Sequence, residues 1–325
     1  MKIIDKILTQ KEFQDQPPVL VDIGASEKMY QPWSAIAKYS ICLAFDADER
    51  EIEYTTKSDS GYQKLYVYNK IVSADSNKKE EKFYFTKSPF CSSLLEPDLK
   101  NLNDWGIVGL FNVEKIAELQ TTNLSDVLKK LGIQQIDWFK TDSQGTDLRL
   151  FHSLGDEIIK KIIVADFEPG IINAYKNEDK LFHLLSYMEK LPFWISELSL
   201  PQAVRINKKI KETLLDKKIG YNSDKILNLV LKSSPVCGEI SYFNSFKDDG
   251  CFTKRDYLLA IALACAKKQL GFALELADEG DEKFDNSLFA EIKNDILNEI
   301  EIKIKRLKFK MPLYKIARII KNLIQ

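Results

Sequence analysis

The sequence predicts an α/β fold in which a parallel sheet is covered by helices on both faces, followed by a smaller, mainly helical C-terminal region. From Val19 to about Ser199, short β-rich runs alternate with helical stretches, which is typical of a parallel sheet with crossover helices. After Pro201 this alternation stops. We therefore predict two domains, residues 1–200 and residues 201–325, with the boundary near residue 200.

Five apolar runs have the length and composition of buried strands. They are short and rich in Val, Ile and aromatic residues, as strands covered on both faces are. Helices are predicted between them, where apolar residues recur three and four positions apart. The predicted strands are Val19–Ile23, Ile41–Phe45, Leu65–Tyr68, Ile136–Phe139 and Ile162–Phe167, and the predicted helices are Pro32–Tyr39, Leu124–Leu131, Thr146–Leu154 and Glu178–Leu191.

The C-terminal region has one predicted strand, Glu239–Phe246, and two predicted helices. Arg255–Ala277 is a long helical pattern whose alanines suit close helix packing. Lys303–Gln325 holds eight Lys or Arg and no acid, and its apolar residues fall on one helical face. Such a basic amphipathic helix is suited to an anionic membrane surface. The alternative is a helix packed on its own domain with a solvated basic face.

Composition argues against several functional classes. The net charge of -1 gives no overall attraction to nucleic acid or membrane. Five cysteines without a CxxC pair, together with two histidines, argue against a zinc site and fit a reducing cytoplasm. The sequence has neither a signal-peptide pattern at its N-terminal residues nor an apolar stretch long enough to span a membrane.

The first predicted strand runs into a tight turn that indicates a cofactor site. Open α/β sheets bind ligands at the carboxyl ends of their strands, where Asp22 and Gly24 lie. Asp46 ends the second strand, and a carboxylate there can accept hydrogen bonds from both hydroxyls of an adenosine ribose. The alternative is that Asp22 caps a turn and Asp46 caps a helix.

The charges of this turn favour a cationic cofactor over a dinucleotide. The turn reads GASEKMY, which lacks the second and third glycines of a dinucleotide-binding turn and places Glu27 where a pyrophosphate would be repelled. S-adenosylmethionine has no phosphate and carries a sulfonium and an ammonium group, so acids suit it. We predict S-adenosylmethionine, with a nicotinamide dinucleotide as the disfavoured alternative.

Several segments resemble the FkbM-type methyltransferases. They are spread over roughly residues 17–200 and comprise VLVDIGAS with Trp33 after it, AFDADE, TKSPFCSSLLEPD, IDWFKTDSQGTDLRLFHSL and IVADFEPGIINAY. The later segment RDYLLAIALACAKKQLGFALELA is similar to the helical tail of some saccharide-modifying members. The chain departs from the family at Glu27 and Lys28, where a glycine commonly follows the turn, and at Asp46, where a glutamate is usual.

The resemblance implies a Rossmann-like sheet in the first domain, S-adenosylmethionine as methyl donor, and O-methylation of a sugar or cell-surface glycan. The candidate donor-binding residues are Asp22, Gly24, Ala25, Ser26, Asp46, Ala47, Ala74 and Asp75. Ser92 and Ser93, in a loop of small polar residues, and His152 are the candidate substrate contacts. For His152 the alternative is a packing or surface role, because it lies in a helical pattern.

Two carboxylates are the candidate catalytic groups. Asp142 and Glu168 each end a predicted strand, and adjacent strands would open both onto one crevice. We expect Asp142 to accept the proton of the acceptor hydroxyl. Alternatively the pair holds a divalent cation, or Asp142 caps a helix and Glu168 belongs to an ordinary turn. Lys140 is expected to contact the acceptor, to steady Asp142, or to extend into solvent.

We therefore expect a cytoplasmic O-methyltransferase of polysaccharide biosynthesis with a saccharide acceptor and no nucleic-acid partner. Peripheral contact with the inner membrane through residues 303–325, and a homodimer, are compatible with the sequence. An alternative from a different class is a non-catalytic Rossmann-like module that acts through a protein or glycan partner. The departures at Glu27 and Lys28 are the feature that favours it.

Overall fold

A computed structural model of the chain describes residues 2–25, 29–48, 50, 60–216, 223–247 and 252–324, with side chains in the last helix as far as residue 308. The chain divides into two compact units. One comprises residues 17–251, and the other combines the N-terminal residues up to 16 with residues from 252 onward.

The strands all lie in the unit of residues 17–251. They are β1 (Val19–Ile23), β2 (Ile41–Phe45), β3 (Lys64–Tyr68), β4 (Ile71–Val72), β5 (Glu80–Thr86), β6 (Val113–Thr122), β7 (Trp138–Thr141), β8 (Val164–Phe167), β9 (Phe193–Ser199), β10 (Gln202–Val204), β11 (Ser233–Pro235) and β12 (Glu239–Asn244).

The helices are distributed over both units. They are α1 (Lys2–Leu8), α2 (Lys11–Asp15), α3 (Leu99–Leu102), α4 (Leu124–Leu131), α5 (Asp147–His152), α6 (Asp156–Ile159), α7 (Leu181–Met188), α8 (Lys208–Asp216), α9 (Ser223–Val230), α10 (Lys254–Ala266), α11 (Leu270–Phe284) and α12 (Ser287–Ile324).

The described residues form a central sheet of seven strands in the order β3-β2-β1-β7-β8-β12-β9. Neighbours from β3 to β8 are parallel, whereas β12 is antiparallel to β8 and β9. From β1 the chain first builds outward to β3 and then returns to β7 on the other side of β1. The sheet therefore has its topological switch point between β1 and β7, where open α/β sheets bind ligands.

One face of the sheet is covered by α4, α5 and α7. Leu43, Phe139 and Ala165 on this face belong to one buried apolar cluster with side chains of the three helices. Helix α4 begins at Asn123, whose side chain accepts from the Ser125 amide, and ends at Gly132, which has a left-handed backbone. These two caps satisfy backbone groups that a short helix leaves open.

Two smaller sheets accompany the central one. Strands β4, β6 and β5 form a three-stranded sheet inserted between β3 and β7, and β10 pairs with β11. The antiparallel pairing of β5 with β6 runs over most of both strands. The loop between β5 and β6 carries the predicted substrate contacts Ser92 and Ser93. The inserted sheet therefore brings this loop to the central sheet.

The unit formed by the chain ends is helical. Helix α10 begins with a capping box between Thr253 and Asp256, which satisfies its first amides reciprocally. It is buried on nearly every side, as its run of alanines predicts. In the described part of the chain, no helix combines the length and hydrophobicity that a membrane span requires.

The predicted α/β fold with a helical C-terminal region is confirmed, but three boundaries differ from the prediction. The compact units do not divide near residue 200, because β12 returns into the sheet between β8 and β9. The predicted helix Pro32–Tyr39 forms two short 3-10 turns, Gln31–Trp33 and Ala37–Tyr39.

The long pattern Arg255–Ala277 likewise forms two helices rather than one. Lys268 has a left-handed backbone with φ +63°, and the Gln269 amide donates to the Ala264 carbonyl at 2.8 Å. This six-to-one hydrogen bond is the helix-ending motif that usually has glycine at the left-handed position. Because lysine occupies it here, the sequence pattern did not reveal the break.

Candidate active site

The turn after β1 packs directly against the end of β7. Gly24 has φ +77°, and a Cβ atom built on it would lie 2.1 Å from the Asp142 carbonyl oxygen. The Asp142 amide in turn donates to the Ile23 carbonyl at 2.9 Å. Only glycine suits both the backbone conformation and this approach. The Gly24 turn therefore brings Asp142 to the switch point of the sheet.

A buried ion pair supports the Gly24 turn. Lys140 Nζ lies 2.7 Å from Asp22 Oδ1, whose side chain is 2% exposed, and it donates to the Gly24 carbonyl at 3.2 Å. Burial lowers the pKa of Lys140, but the charges of Asp22 and Asp142 outweigh it and raise that pKa above its usual value. This pair holds the Lys140 side chain largely inside the protein, so the predicted extension into solvent is wrong, whereas contact with the acceptor stays a prediction.

A small cavity opens beside the turn, and Asp46 lies in its wall. The cavity has a volume of about 70 Å³ and is also lined by Gly24, Ala47 and Asp142. It shares Val72, Leu94 and Thr146 with a cleft of about 850 Å³, whose lining includes Ala74 and Asp75. We call the two together the donor cleft. The structure thus brings five of the eight predicted donor residues to one continuous region.

Of the other three predicted donor residues, Ala25 and Asp22 do not line the donor cleft. Ala25 is buried, and its amide donates to the Phe45 carbonyl at 3.1 Å, as the Gly24 amide does at 2.9 Å. Asp22 faces Lys140 and supports the turn from behind. Ser26, with Glu27 and Lys28, lies outside the described residues.

Asp46 is a carboxyl group of the donor cleft whose surroundings disfavour its charged form. Burial raises its pKa to about 7, opposed by the Asp48 amide that donates to it at 2.8 Å and assisted by the charges of Asp48, Asp142 and Asp22. A group in this position gains from a hydrogen-bond donor or a cation. A second anion there would be repelled.

Asp142 and Glu168 directly follow the adjacent parallel strands β7 and β8, and the two carboxyl groups influence each other's pKa. Burial and the neighbouring charges of Asp142 and Asp147 raise the pKa of Glu168 to about 9. Burial also raises the pKa of Asp142, but the charge of Lys140 and the Gln144 amide group act against it. Glu168 therefore favours its protonated form near neutral pH, while the charge of Lys140 and the Gln144 side chain favour the charged form of Asp142.

A comparison with protein-family models identifies the family. The model described as the methyltransferase FkbM domain matches residues 26–195, which is more than half of the 325 residues. The chain belongs to this family. Comparisons with curated proteins and with solved structures gave no match.

In this FkbM methyltransferase, the two serines of the β5–β6 loop hold the site together from inside the protein. The Ser92 hydroxyl accepts from the Arg50 guanidinium at 3.0 Å and from the Thr86 amide at 3.1 Å. The Ser93 hydroxyl donates to the Gln144 carbonyl at 2.8 Å. Ser93 is 1% exposed, so it fixes the turn after Asp142 and has no free surface for a substrate.

His152 lies away from these groups. It is exposed at the end of α5, where its ring packs edge-on against Tyr187 at 5.6 Å between ring centroids. Among the described residues, those that line the donor cleft do not include it. This position in the FkbM methyltransferase agrees with the packing or surface role that the helical pattern around His152 suggested.

Asp147 is a site residue that the sequence reasoning missed. It is 1% exposed. Its Oδ1 accepts from the Ser143 amide at 2.9 Å and from the Thr141 hydroxyl at 3.2 Å, and its Oδ2 accepts from the Glu168 amide at 2.8 Å. One carboxylate thus joins the backbones that carry Asp142 and Glu168. An acid at the start of a helix was the only sequence signal for it, and that pattern is common.

The carboxyl groups of the FkbM site do not form a metal centre. Within the described residues, no cluster of three or more His, Cys, Asp or Glu side chains is arranged to hold a metal ion. The positive charge of Lys140 favours the ionised form of Asp142.

Proposed function

We propose that this FkbM methyltransferase transfers a methyl group from S-adenosylmethionine to a hydroxyl group of a saccharide, with Asp142 as the base. The observation that carries the proposal is the Asp142–Glu168 pair. The pair follows two adjacent parallel strands, the pKa of Glu168 is raised to about 9, and Asp142 stands next to the Gly24 turn at the switch point.

The residues of the donor cleft fit S-adenosylmethionine. Gly24 and Asp46 both line the small cavity, and Asp46 directly follows β2, where it can accept from ribose hydroxyls. The raised pKa of Asp46 favours a partner that donates hydrogen bonds or carries positive charge. A dinucleotide pyrophosphate would meet the charges of Asp46 and Asp142 instead. Asp75, exposed at the edge of the larger cleft, suits the amino group of the adenine.

Bound S-adenosylmethionine supplies a methyl group on a positively charged sulfur, and the sulfur–methyl bond breaks as the oxygen–methyl bond forms. The acceptor hydroxyl loses its proton to Asp142. Glu168 keeps its own proton and donates it in a hydrogen bond to Asp142, which holds the carboxylate in place. Asp147 fixes the two strand ends that carry the pair. Positioning of the reactants supplies most of the acceleration.

A hydroxyl acceptor is supported over a carboxylate acceptor by the presence of a base, because a carboxylate is already ionised near neutral pH. The choice of a saccharide rests on the likeness of the C-terminal segment to saccharide-modifying members of the family. Replacing Asp142 by Asn should lower kcat about 10²–10⁴-fold with donor affinity retained. An equal loss in Asp126→Asn, which alters an exposed carboxylate of α4, would instead indicate a general effect of charge.

The donor is tested by calorimetric titration of the full chain with S-adenosylmethionine, S-adenosylhomocysteine and NAD. We expect the two sulfur compounds to bind and NAD not to bind. Asp46→Asn should weaken donor binding, and Asp126→Asn should leave it unchanged. Binding of NAD alone would refute the proposed donor. Binding of none of the three would support the non-catalytic alternative that the sequence left open.

We also propose that this methyltransferase works in the cytoplasm and contacts an anionic membrane through residues 303–325. The segment holds eight Lys or Arg and no acid. At its start, the side chains of residues 301–308 are exposed on every side of α12, including Ile304 and Leu307 at 45% and 59%. Each cation near an anionic surface contributes about 1 kcal/mol. A membrane location would bring the enzyme to lipid-linked or envelope glycans.

A further inference from the structure

The connection between β10 and β11 contains two helices that the candidate active site does not use. It comprises residues 205–232, with α8 and α9, and we call it the arm. Because Val204 of β10 pairs with Ser233 of β11, the arm begins and ends at the same end of the two-stranded sheet. The start of α8 and the end of α9 therefore lie near each other.

The arm follows the central sheet at the edge that carries the candidate catalytic carboxyl groups. Strand β9 ends and β12 begins where Ser199 pairs with Glu239. The residue after Glu239 pairs with Phe167, which directly precedes Glu168. The segment between β9 and β12, to which the arm belongs, thus leaves and re-enters the sheet at the active-site edge.

Helix α9 exposes an apolar face. Ile226, Leu229 and Val230 are three and four residues apart, so they lie on one side of the helix. Their exposed fractions are 38%, 87% and 75%, whereas Leu227 is 8% exposed. Among the side chains that the structure describes, Leu229 and Val230 are the two most exposed large apolar ones. A contiguous apolar face of this kind marks an interaction surface.

Positive charge accompanies this apolar face. The arm holds eight Lys or Arg and three acids, a net charge of +5, although the whole chain has a net charge of -1. Lys208 and Lys209 at the start of α8 and Lys232 after α9 are exposed. Ile210 of α8 is exposed as well, at 57%. The end of the arm that carries Val230 therefore combines exposed cations with exposed hydrocarbon.

The combination favours one kind of partner. A second copy of the chain that used the same face would bring two arms of like charge together, and they would repel each other. An apolar helical face accompanied by Lys and Arg is instead typical of a helix that lies in a membrane interface, with its apolar side chains about 5–10 Å deep. Anionic headgroups complement the charge of the arm.

We propose that the arm docks on an anionic lipid membrane, with Ile226, Leu229 and Val230 inserted among the lipids and the lysines at the headgroups. The arm belongs to the unit of residues 17–251, whereas residues 303–325 belong to the helical unit, so the two are separate contacts. Docking holds the active-site edge of the sheet near the bilayer, which suits an acceptor attached to a lipid. This consequence for the acceptor rests on the proposed function, whereas the docking itself does not.

Quenching of tryptophan fluorescence tests the insertion directly. Leu229→Trp adds a fluorophore to the arm of the full chain, and Ile116→Trp adds one at a 56% exposed apolar position of β6. Both variants are mixed with phosphatidylglycerol vesicles whose acyl chains carry bromine, which quenches tryptophan only on contact with the lipid tails. The fluorescence of Leu229→Trp should fall more than that of the unaltered chain, whereas Ile116→Trp should show no additional loss.

Two double variants test what the apolar face and the cations contribute. Leu229→Asn with Val230→Asn keeps the charge and should weaken binding to phosphatidylglycerol vesicles at least roughly tenfold, the factor expected for burying one such side chain. Lys208→Gln with Lys209→Gln should also weaken binding and reduce its dependence on salt. The matched control Ile116→Asn should change neither quantity. Unchanged donor affinity in every variant shows that each one folds.

Each outcome decides for or against the arm. Vesicle binding that the α9 double variant leaves unchanged, or sedimentation of Leu229→Trp without additional quenching, refutes the arm and leaves residues 303–325 as the contact. Equal binding to phosphatidylcholine vesicles refutes the role of the charge. Self-association of the chain that the α9 double variant abolishes would assign the face to a second copy instead. A chain that docks through the arm but binds no donor would refute the proposed function and leave the docking standing.

Discussion

Gly24→Ala is the substitution for which the structure predicts the largest local effect at the site. The new methyl group would lie 2.1 Å from the Asp142 carbonyl oxygen, well inside any van der Waals contact, so β1 and β7 must separate at their carboxyl ends. Gly132→Ala is the matched control, because Gly132 has a similar φ of +69° and no atom within 4 Å of the built Cβ. Both variants incur the cost of a left-handed alanine, about 1–2 kcal/mol.

The difference in stability between the two variants measures the cost of the steric overlap between the added Cβ at position 24 and the Asp142 carbonyl, separately from the cost of the left-handed backbone. Separating the strand ends removes the hydrogen bond from the Asp142 amide to Ile23 and the one from Lys140 to the Gly24 carbonyl. At about 0.5–1.5 kcal/mol for the neutral bond and 1.5–3 kcal/mol for the charged one, Gly24→Ala should be less stable than Gly132→Ala by about 2–4.5 kcal/mol. Urea denaturation measures this difference, and calorimetry should show donor binding lost in Gly24→Ala alone. Equal stability and equal donor affinity in both variants would refute the close packing of the turn on β7.

Three further predictions concern the charges of the enzyme. We expect donor binding to need ionised Asp46, whose pKa in the free protein is about 7. Donor affinity should therefore fall roughly tenfold from pH 8 to pH 6. This fall should disappear in Asp46→Asn, and an unchanged pH dependence of donor affinity in that variant would contradict the prediction. Asp147→Asn removes a negative charge that raises the pKa of Glu168, so the pH profile of kcat/KM should shift to lower pH. The free energy of unfolding should also fall by about 1.5–3 kcal/mol. A loss of stability with an unchanged pH profile would give Asp147 a purely structural role. The full chain should sediment with phosphatidylglycerol vesicles and not with phosphatidylcholine vesicles. Replacing the four cations of residues 303–308 by Gln should abolish this sedimentation. Equally strong binding to RNA would instead indicate a surface that binds any polyanion.

Local patterns in the sequence predicted the central elements well. The apolar runs at β1, β2, β7 and β8 coincide with strands to within two residues at either end. A strand that is buried on both faces must consist almost entirely of apolar residues, so its sequence is easily recognised. The order of the strands in the sheet does not follow from any local pattern. The segment Glu239–Phe246 was predicted as a strand, but nothing within it says that it pairs between β8 and β9.

The site was predicted in part for the same reason. Asp46, Asp142 and Glu168 were found because each directly follows a buried strand. The partners that set their chemistry were not found, since they come from other elements: Lys140 turns inward because Asp22 lies opposite it in the register of β1 and β7. Asp147 resembles any acid in the first turn of a helix until its contacts are known.

The helical unit combines both ends of the chain, and this arrangement has a consequence for biosynthesis. Helix α1 packs against α10, and residues 17–251, which form the other unit, are synthesised between the two helices. At roughly 5–20 residues per second, the apolar face of α1, with Ile3, Ile4 and Ile7, waits for tens of seconds. The nascent chain thus carries an unmatched hydrophobic segment until α10 has been made.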